Sequence, residues 1–111
     1  MAAVSNLAID QGTTYSVTVS VTDTTGSARN LTGYTGRAQM RRSFYTTSNT
    51  AFTVAIDNPS EGEVILSLTA TQTSALKAGR YVYDLELVSS NTSSVERIVE
   101  GIVTIYPEAT K

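Results

Sequence analysis

Residues 76–87 read Leu76-Lys77-Ala78-Gly79-Arg80-Tyr81-Val82-Tyr83-Asp84-Leu85-Glu86-Leu87. A short polar turn ends at Gly79, and a strand starts at once. Tyr81, Tyr83, Leu85 and Leu87 alternate with Val82, Asp84 and Glu86, so one face is apolar and the other mostly acidic. Period-two alternation is the signature of a half-buried strand. A glycine corner with an aromatic just beyond it suits a chain passing from one sheet to another. The Tyr81 hydroxyl is expected to tie back to the backbone of that corner.

Working outward, the same alternation recurs between turn signals. Tyr15, Val17, Val19 and Val21 alternate with Ser16, Thr18, Ser20 and Thr22, and Asp23-Thr24-Thr25-Gly26 follows as a turn. Leu31-Thr32-Gly33-Tyr34 is a second bend or a short strand. Beyond it Ala38 and Met40 point inward, while Arg37, Gln39 and Arg41 point outward. Residues 43–49 form a polar loop that opens with Phe44 and Tyr45. Phe52, Val54 and Ile56 make another apolar face. Asn58-Pro59-Ser60-Glu61-Gly62 is a turn, because Pro fixes φ and Gly supplies positive φ. Val64, Leu66 and Leu68 point inward, and residues 69–77 hold one helical turn with Thr71 or Thr73 as its N-cap. Ser89 to Ser94 reads as a hairpin loop. A last strand runs from Val95 to about Tyr106, where Pro107 stops the ladder.

This pattern predicts an all-β protein: an immunoglobulin-like β-sandwich of about seven to eight antiparallel strands, with a small barrel as the alternative. The 111 residues suit one domain spanning 1–111, with residues 1–6 as an N-terminal arm and 108–111 as a tail. Hydrophobic residues make up 41% and mean hydropathy is −0.05, as expected for a folded soluble chain. The 18 Thr and 13 Ser fit strands with wet faces and polar turns.

Net charge is −2, so the basic excess that phosphate contacts need is missing, and no nucleic-acid partner is expected. No apolar run reaches the ~20 residues of a membrane span, so no membrane partner is expected either. The N-terminus carries no basic, apolar leader pattern. The chain has neither Cys nor His, which removes disulfides, thiolate nucleophiles, Cys/His zinc sites and a Ser-His-Asp triad.

The remaining acid–base groups are carboxylates, tyrosines and two lysines. Asp84 and Glu86 share a strand face roughly 7 Å apart, a separation that a two-carboxylate glycosidase uses. Glu96 and Glu100 also lie on one side of a regular strand. Asp57, Asn58, Glu61 and Glu63 are oxygen-rich, but their spacing fits a polar turn rather than a calcium loop. In each case a solvated face or turn accounts for the residues, and no enzyme activity, cofactor or metal is expected. Arg37, Arg41 and Arg42 with Phe44 and Tyr45 fit a strand flank or an inter-subunit salt bridge better than a nucleic-acid patch. Asn30-Leu31-Thr32 and Asn91-Thr92-Ser93 match the glycosylation sequon.

The C-terminal hairpin exceeds a plain fold. Val82 and Val88 share a face with Asp84 and Glu86. On a regular strand, Ile98 and Ile102 share one with Glu96 and Glu100, opposite Val95, Val99, Val103 and Ile105. A strand apolar on both faces is covered on both sides, unless a bulge near Gly101 switches them. The expected protein interface is therefore Val82, Asp84, Glu86, Val88, Ile98 and Ile102, joined by Arg37 and Arg41.

A longer order of motifs carries a resemblance. Its parts are Asp10-Gln11-Gly12-Thr13-Thr14-Tyr15 and the run from Asn30 to Arg41 (NLTGYTGRAQMR), then Gly62-Glu63-Val64 and Leu68-Thr69-Ala70-Thr71-Gln72-Thr73. The run from Gly79 to Leu87 (GRYVYDLEL) and that from Arg97 to Glu108 (RIVEGIVTIYPE) complete it. Across most of residues 7–108 the chain resembles small structural proteins of tailed bacteriophages, especially marine and cyanobacterial myophages. It is also similar to the N-terminal domain of the siphophage upper baseplate protein. The resemblance implies an Ig-like sandwich that docks in a virion as a repeated subunit, assembled in the host bacterial cytoplasm. Its implied partners are other phage structural proteins and copies of itself, and it implies no catalytic residues. The domain stands without the fibre or receptor-binding extension such domains often precede, which argues against direct host binding and favours an adaptor, baseplate, neck or decoration role, with the tail, baseplate or neck expected first. Capsid decoration is one alternative. A carbohydrate-binding or adhesion module is another, with Tyr34, Phe44, Tyr45 and Tyr106 as its aromatic candidates.

Overall fold

A computed structural model describes residues 3–23, 25–91 and 93–110. Thr24 of the first turn, Thr92 of the hairpin loop and its sequon, Met1 and Ala2 of the arm, and Lys111 of the tail lie outside the described residues. Nine strands are present among the described residues: β1 Ala3–Val4, β2 Leu7–Asp10, β3 Tyr15–Ser20, β4 Tyr34–Arg41, β5 Thr50–Ala51, β6 Thr53–Asn58, β7 Glu63–Leu68, β8 Gly79–Ser89 and β9 Val95–Tyr106. A 3-10 turn at Pro59–Glu61 joins β6 to β7, and a helix, α1, spans Ala70–Ser74.

The strands form two sheets. The larger has the order β1-β9-β8-β4-β5, with β2 also on β9, and the smaller has the order β3-β7-β6. The chain changes sheets between β2 and β3, between β3 and β4, between β5 and β6, and between β7 and β8. Hairpins β6–β7 and β8–β9 pair neighbours antiparallel, each with one shift of register, between Ala55 and Asn58 and between Leu85 and Glu86. This is an Ig-like β-sandwich. Its pairs are antiparallel except at the N-terminus, where β1 and β2 run parallel to β9.

The core lies between the sheets and follows the alternation read from the sequence. Val64, Leu66 and Leu68 of β7 face Tyr81, Tyr83, Leu85 and Leu87 of β8, with Ile9, Met40, Val103 and Ile105 closing the layer. Phe52 meets Tyr83 edge to face, with ring centroids 6.1 Å apart, a preferred aromatic geometry.

Two tyrosine hydroxyl ties fix the larger sheet. At the first, the Tyr81 hydroxyl donates to the Lys77 carbonyl at 2.9 Å, the tie-back expected of a tyrosine corner. Gly79 has φ 132°, and a Cβ there would lie 2.6 Å from the Arg42 guanidinium. That guanidinium sits 4.5 Å over the Tyr81 ring and donates to the carbonyls of Ala78 and Arg80. The helical turn before the corner starts one capping box earlier than expected. Thr69, rather than Thr71 or Thr73, is the N-cap. Its hydroxyl accepts from the Gln72 amide at 3.2 Å, and Gln72 Oε1 accepts from the Thr69 amide at 2.9 Å. Thr73 is instead fully buried and donates to the Thr13 carbonyl at 2.8 Å.

At the second, residues 3–6 of the expected N-terminal arm lie along β9 within the larger sheet. The Ser5 amide donates to the Glu100 carbonyl at 2.9 Å, and Asn6 Oδ1 accepts from the Ile102 amide at 3.0 Å. Between these bonds the Ser5 carbonyl dips over Gly101, filling the space a Cβ would need, and accepts from the Tyr83 hydroxyl at 2.6 Å. Gly101 pairs with Tyr83 across the ladder, which puts all three groups on the inner face.

Candidate docking surface

The outward face of the larger sheet is a grid of side chains set by strand register. In the first row Thr35, Val88 and Val95 stand side by side, and in the second Arg37, Glu86 and Arg97. The third holds Gln39, Asp84 and Glu100, and the fourth Arg41, Val82 and Ile102. Neighbours on adjacent strands lie about 4.5–5.5 Å apart at Cβ, so each row is a contact line.

The middle rows are ionic. Arg37 Nε reaches Glu86 Oε1 at 2.8 Å, while Arg97 lies 3.5 Å from Asp84 and 3.9 Å from Glu100. Burial raises the Asp84 carboxyl above its ordinary range. The charge of Glu86 adds to this, and Arg97 partly opposes it. Arg37, Arg41 and Arg97 balance Asp84, Glu86 and Glu100, so the grid has no net charge. The outer rows each hold an apolar pair beside one polar residue: Val88 and 49% exposed Val95 beside Thr35, and half-buried Val82 and 41% exposed Ile102 beside Arg41.

Several expected site residues stand elsewhere. A bulge does lie in β9, but at Ile98 rather than near Gly101: Leu85 pairs with Val99 and Glu86 with Arg97, leaving Ile98 without a partner. An extra residue reverses which side chains point inward. Ile98 therefore packs against the core and does not share the face of Ile102. Val95 points outward instead of lying with Val99 and Val103. Glu96 and Glu100 fall on opposite faces.

Glu96 turns to the inner side and forms a bidentate pair with Arg29, at 2.7 and 3.0 Å. Hydrogen bonding to that guanidinium holds the Glu96 carboxyl below its ordinary range and raises Arg29. Arg29 also lies 5.2 Å over the Tyr34 ring and donates to its hydroxyl at 3.1 Å. Arg41 is committed within the chain: it donates to the Thr46 and Thr47 carbonyls and to Gln39, fixing the loop after β4. That loop holds Phe44 and Tyr45 in the open, 58% and 96% exposed, over a groove shared with Gln39, Asp84, Glu86 and Arg97. Sequence alternation does not reveal the roles of Arg97 and Arg29 or this loop-to-face contact. Each depends on the bulge or on partners far apart in the chain.

No family model matches the chain, and no curated protein matches it. Among solved structures it is similar to InlP of Listeria monocytogenes. The match has a TM-score of 0.50 and 15% identity over 92% of this chain, which spans 26% of the InlP chain. It is also similar to the NK cell receptor NKp44, with a TM-score of 0.49 and 14% identity over 96% of this chain and 99% of that one. At these identities the InlP likeness speaks to the fold alone.

The remaining oxygen-rich stretch is a turn. Asp57 and Asn58 end β6, Glu61 closes the 3-10 turn, and Asn58 Nδ2 donates to Glu63 Oε1 at 3.4 Å.

Proposed function

We propose that this chain is a non-enzymatic building module that docks through the outward face of its larger sheet. The carrying observation is exposed Ile102 beside half-buried Val82 at the edge of a charge-balanced grid. Antiparallel sheet faces turned to water commonly alternate to polar residues, whereas this one sets the pairs Val88–Val95 and Val82–Ile102 beside Arg37, Asp84, Glu86, Glu100 and Arg97. Such a face loses apolar surface to a partner without leaving net charge buried. The order of turn and strand motifs supports placing the module in a tailed-phage virion, as a repeated subunit of the tail, baseplate or neck. Capsid decoration is the alternative position.

The test is incorporation into particles when the chain is supplied in trans. The wild type should co-purify with particles in several copies each. Ile102→Lys should keep its melting temperature and stay free in the lysate. Wild type absent from particles, or equal incorporation of both chains, overturns the proposal.

The exposed Phe44 and Tyr45 beside a polar groove favour a second reading, a carbohydrate-binding module. Sugars stack on exposed aromatic faces and bond to groups such as Gln39, Asp84 and Glu86. Glycan-array binding lost in Tyr45→Ala would establish it, and a silent array would remove it.

A further inference from the structure

The edges of the two sheets are not treated alike. β5 is only two residues long. β6 carries Asp57 and an irregular register between Ala55 and Asn58. The free side of the β1–β2 segment is broken at Ser5 and Asn6, where the chain arches over β9. These are the devices that discourage edge-to-edge pairing. β3 has none of them. It is six residues long, Tyr15-Ser16-Val17-Thr18-Val19-Ser20, with no charge, no Pro and no register break, and it pairs only with β7.

The Val21 amide donates to the Gly62 carbonyl at 2.7 Å. Antiparallel alternation therefore aims the backbone groups of Tyr15, Val17 and Val19 at β7, and those of Ser16, Thr18 and Ser20 at the free side. Among the described residues nothing pairs with that free side. The inward side chains of Val17 and Val19 are only half buried, because the sandwich ends there.

We propose that β3 is a self-pairing edge, joined antiparallel to β3 of a second copy about a two-fold axis at Thr18. In that register Ser16 pairs with Ser20 of the second copy and Thr18 with its counterpart, which gives about six backbone hydrogen bonds. Val17 then lies opposite Val19 of the other copy on the inner side and covers the half-buried valines. Threonine opposite threonine on the outer side is a favourable cross-strand pair. The two three-stranded sheets become one continuous sheet. A second copy is the fitting occupant because an uncharged strand meets itself without like-charge repulsion, and its short polar side chains alternate compatibly with themselves. This contact uses the smaller sheet, so it is independent of the docking face proposed above.

The test combines sedimentation with amide exchange on the whole chain. As concentration rises, the mass should move from 11.8 kDa towards twice that value. The amides of Ser16, Thr18 and Ser20 should gain protection while those at the β6 edge do not. Thr18→Lys, on an exposed outward side chain, places like charges opposite each other and should leave a folded monomer. Thr18→Pro, which removes the central donor, should do the same. A mass and an exchange pattern that do not change with concentration overturn the proposal. A dimer that survives Thr18→Lys but is lost in Ile102→Lys also overturns it and assigns self-association to the other sheet.

Discussion

The Tyr83 hydroxyl donates to the Ser5 carbonyl at 2.6 Å across 78 positions of sequence. It does so on the inner side of the sheet, where Gly101 leaves room for the carbonyl. One phenol therefore joins the N-terminal segment to the centre of the core. Tyr83→Phe keeps the ring and its contact with Phe52 but orphans that carbonyl. We expect a loss of about 1–2 kcal/mol in urea unfolding, with faster amide exchange at Val4 and Ser5 than the global loss explains. Gly101→Ala should cost more, because the new methyl and the carbonyl compete for one space.

The corner offers a graded series. Tyr81→Phe removes a single hydrogen bond and should cost about 1 kcal/mol. Gly79→Ala forces an L residue to φ 132° and into the Arg42 guanidinium, and should cost at least about 2 kcal/mol. Chemical denaturation midpoints will rank them.

Glu96 and Asp84 should respond to acid with opposite signs. The folded carboxyl of Glu96 titrates below its unfolded range because it is bonded to Arg29. Its contribution is present above the unfolded carboxylate range and is lost as pH falls through the folded value. The Glu96 side chain is 47% exposed, so screening holds that contribution to about 1 kcal/mol at neutral pH. Glu96→Gln should show that deficit at pH 7 and none at low pH.

Asp84 titrates above its unfolded range, so its ionisation costs folded stability at neutral pH, and the cost fades as pH falls through the raised value. Asp84→Asn should therefore be more stable than wild type at pH 7, with the advantage gone in acid. Thermal melts across pH will show the two variants diverging from wild type in opposite directions.

Alternation made the sandwich legible, because periods of two survive wherever one face is buried: β3, β4, β7 and β8 stand where the residues put them. The corner was readable for the same reason, since glycine and tyrosine have few other uses at that spacing. The β9 bulge was not, because inserting Ile98 leaves no compositional mark and is fixed by the partner strand. That one residue moved Ile98 and Glu96 off the outer face and brought Arg97 onto it. The Thr69-x-x-Gln72 capping box was present in the sequence and marks the helix start better than Thr71 or Thr73. The parallel docking of residues 3–10 was hidden, because neither its partner nor its direction is encoded locally.

That parallel docking has a mechanical consequence. β2 enters beside Val103 and leaves beside Tyr106, in the same direction as β9. Tension applied through the two ends of the chain would pull β2 and β9 in opposite directions along their length. The bonds between them would be loaded together in shear rather than opened one by one from an end. A molecule stretched along this axis would resist with its whole N-terminal ladder at once, and the Tyr83–Ser5 bond would act as a latch behind it.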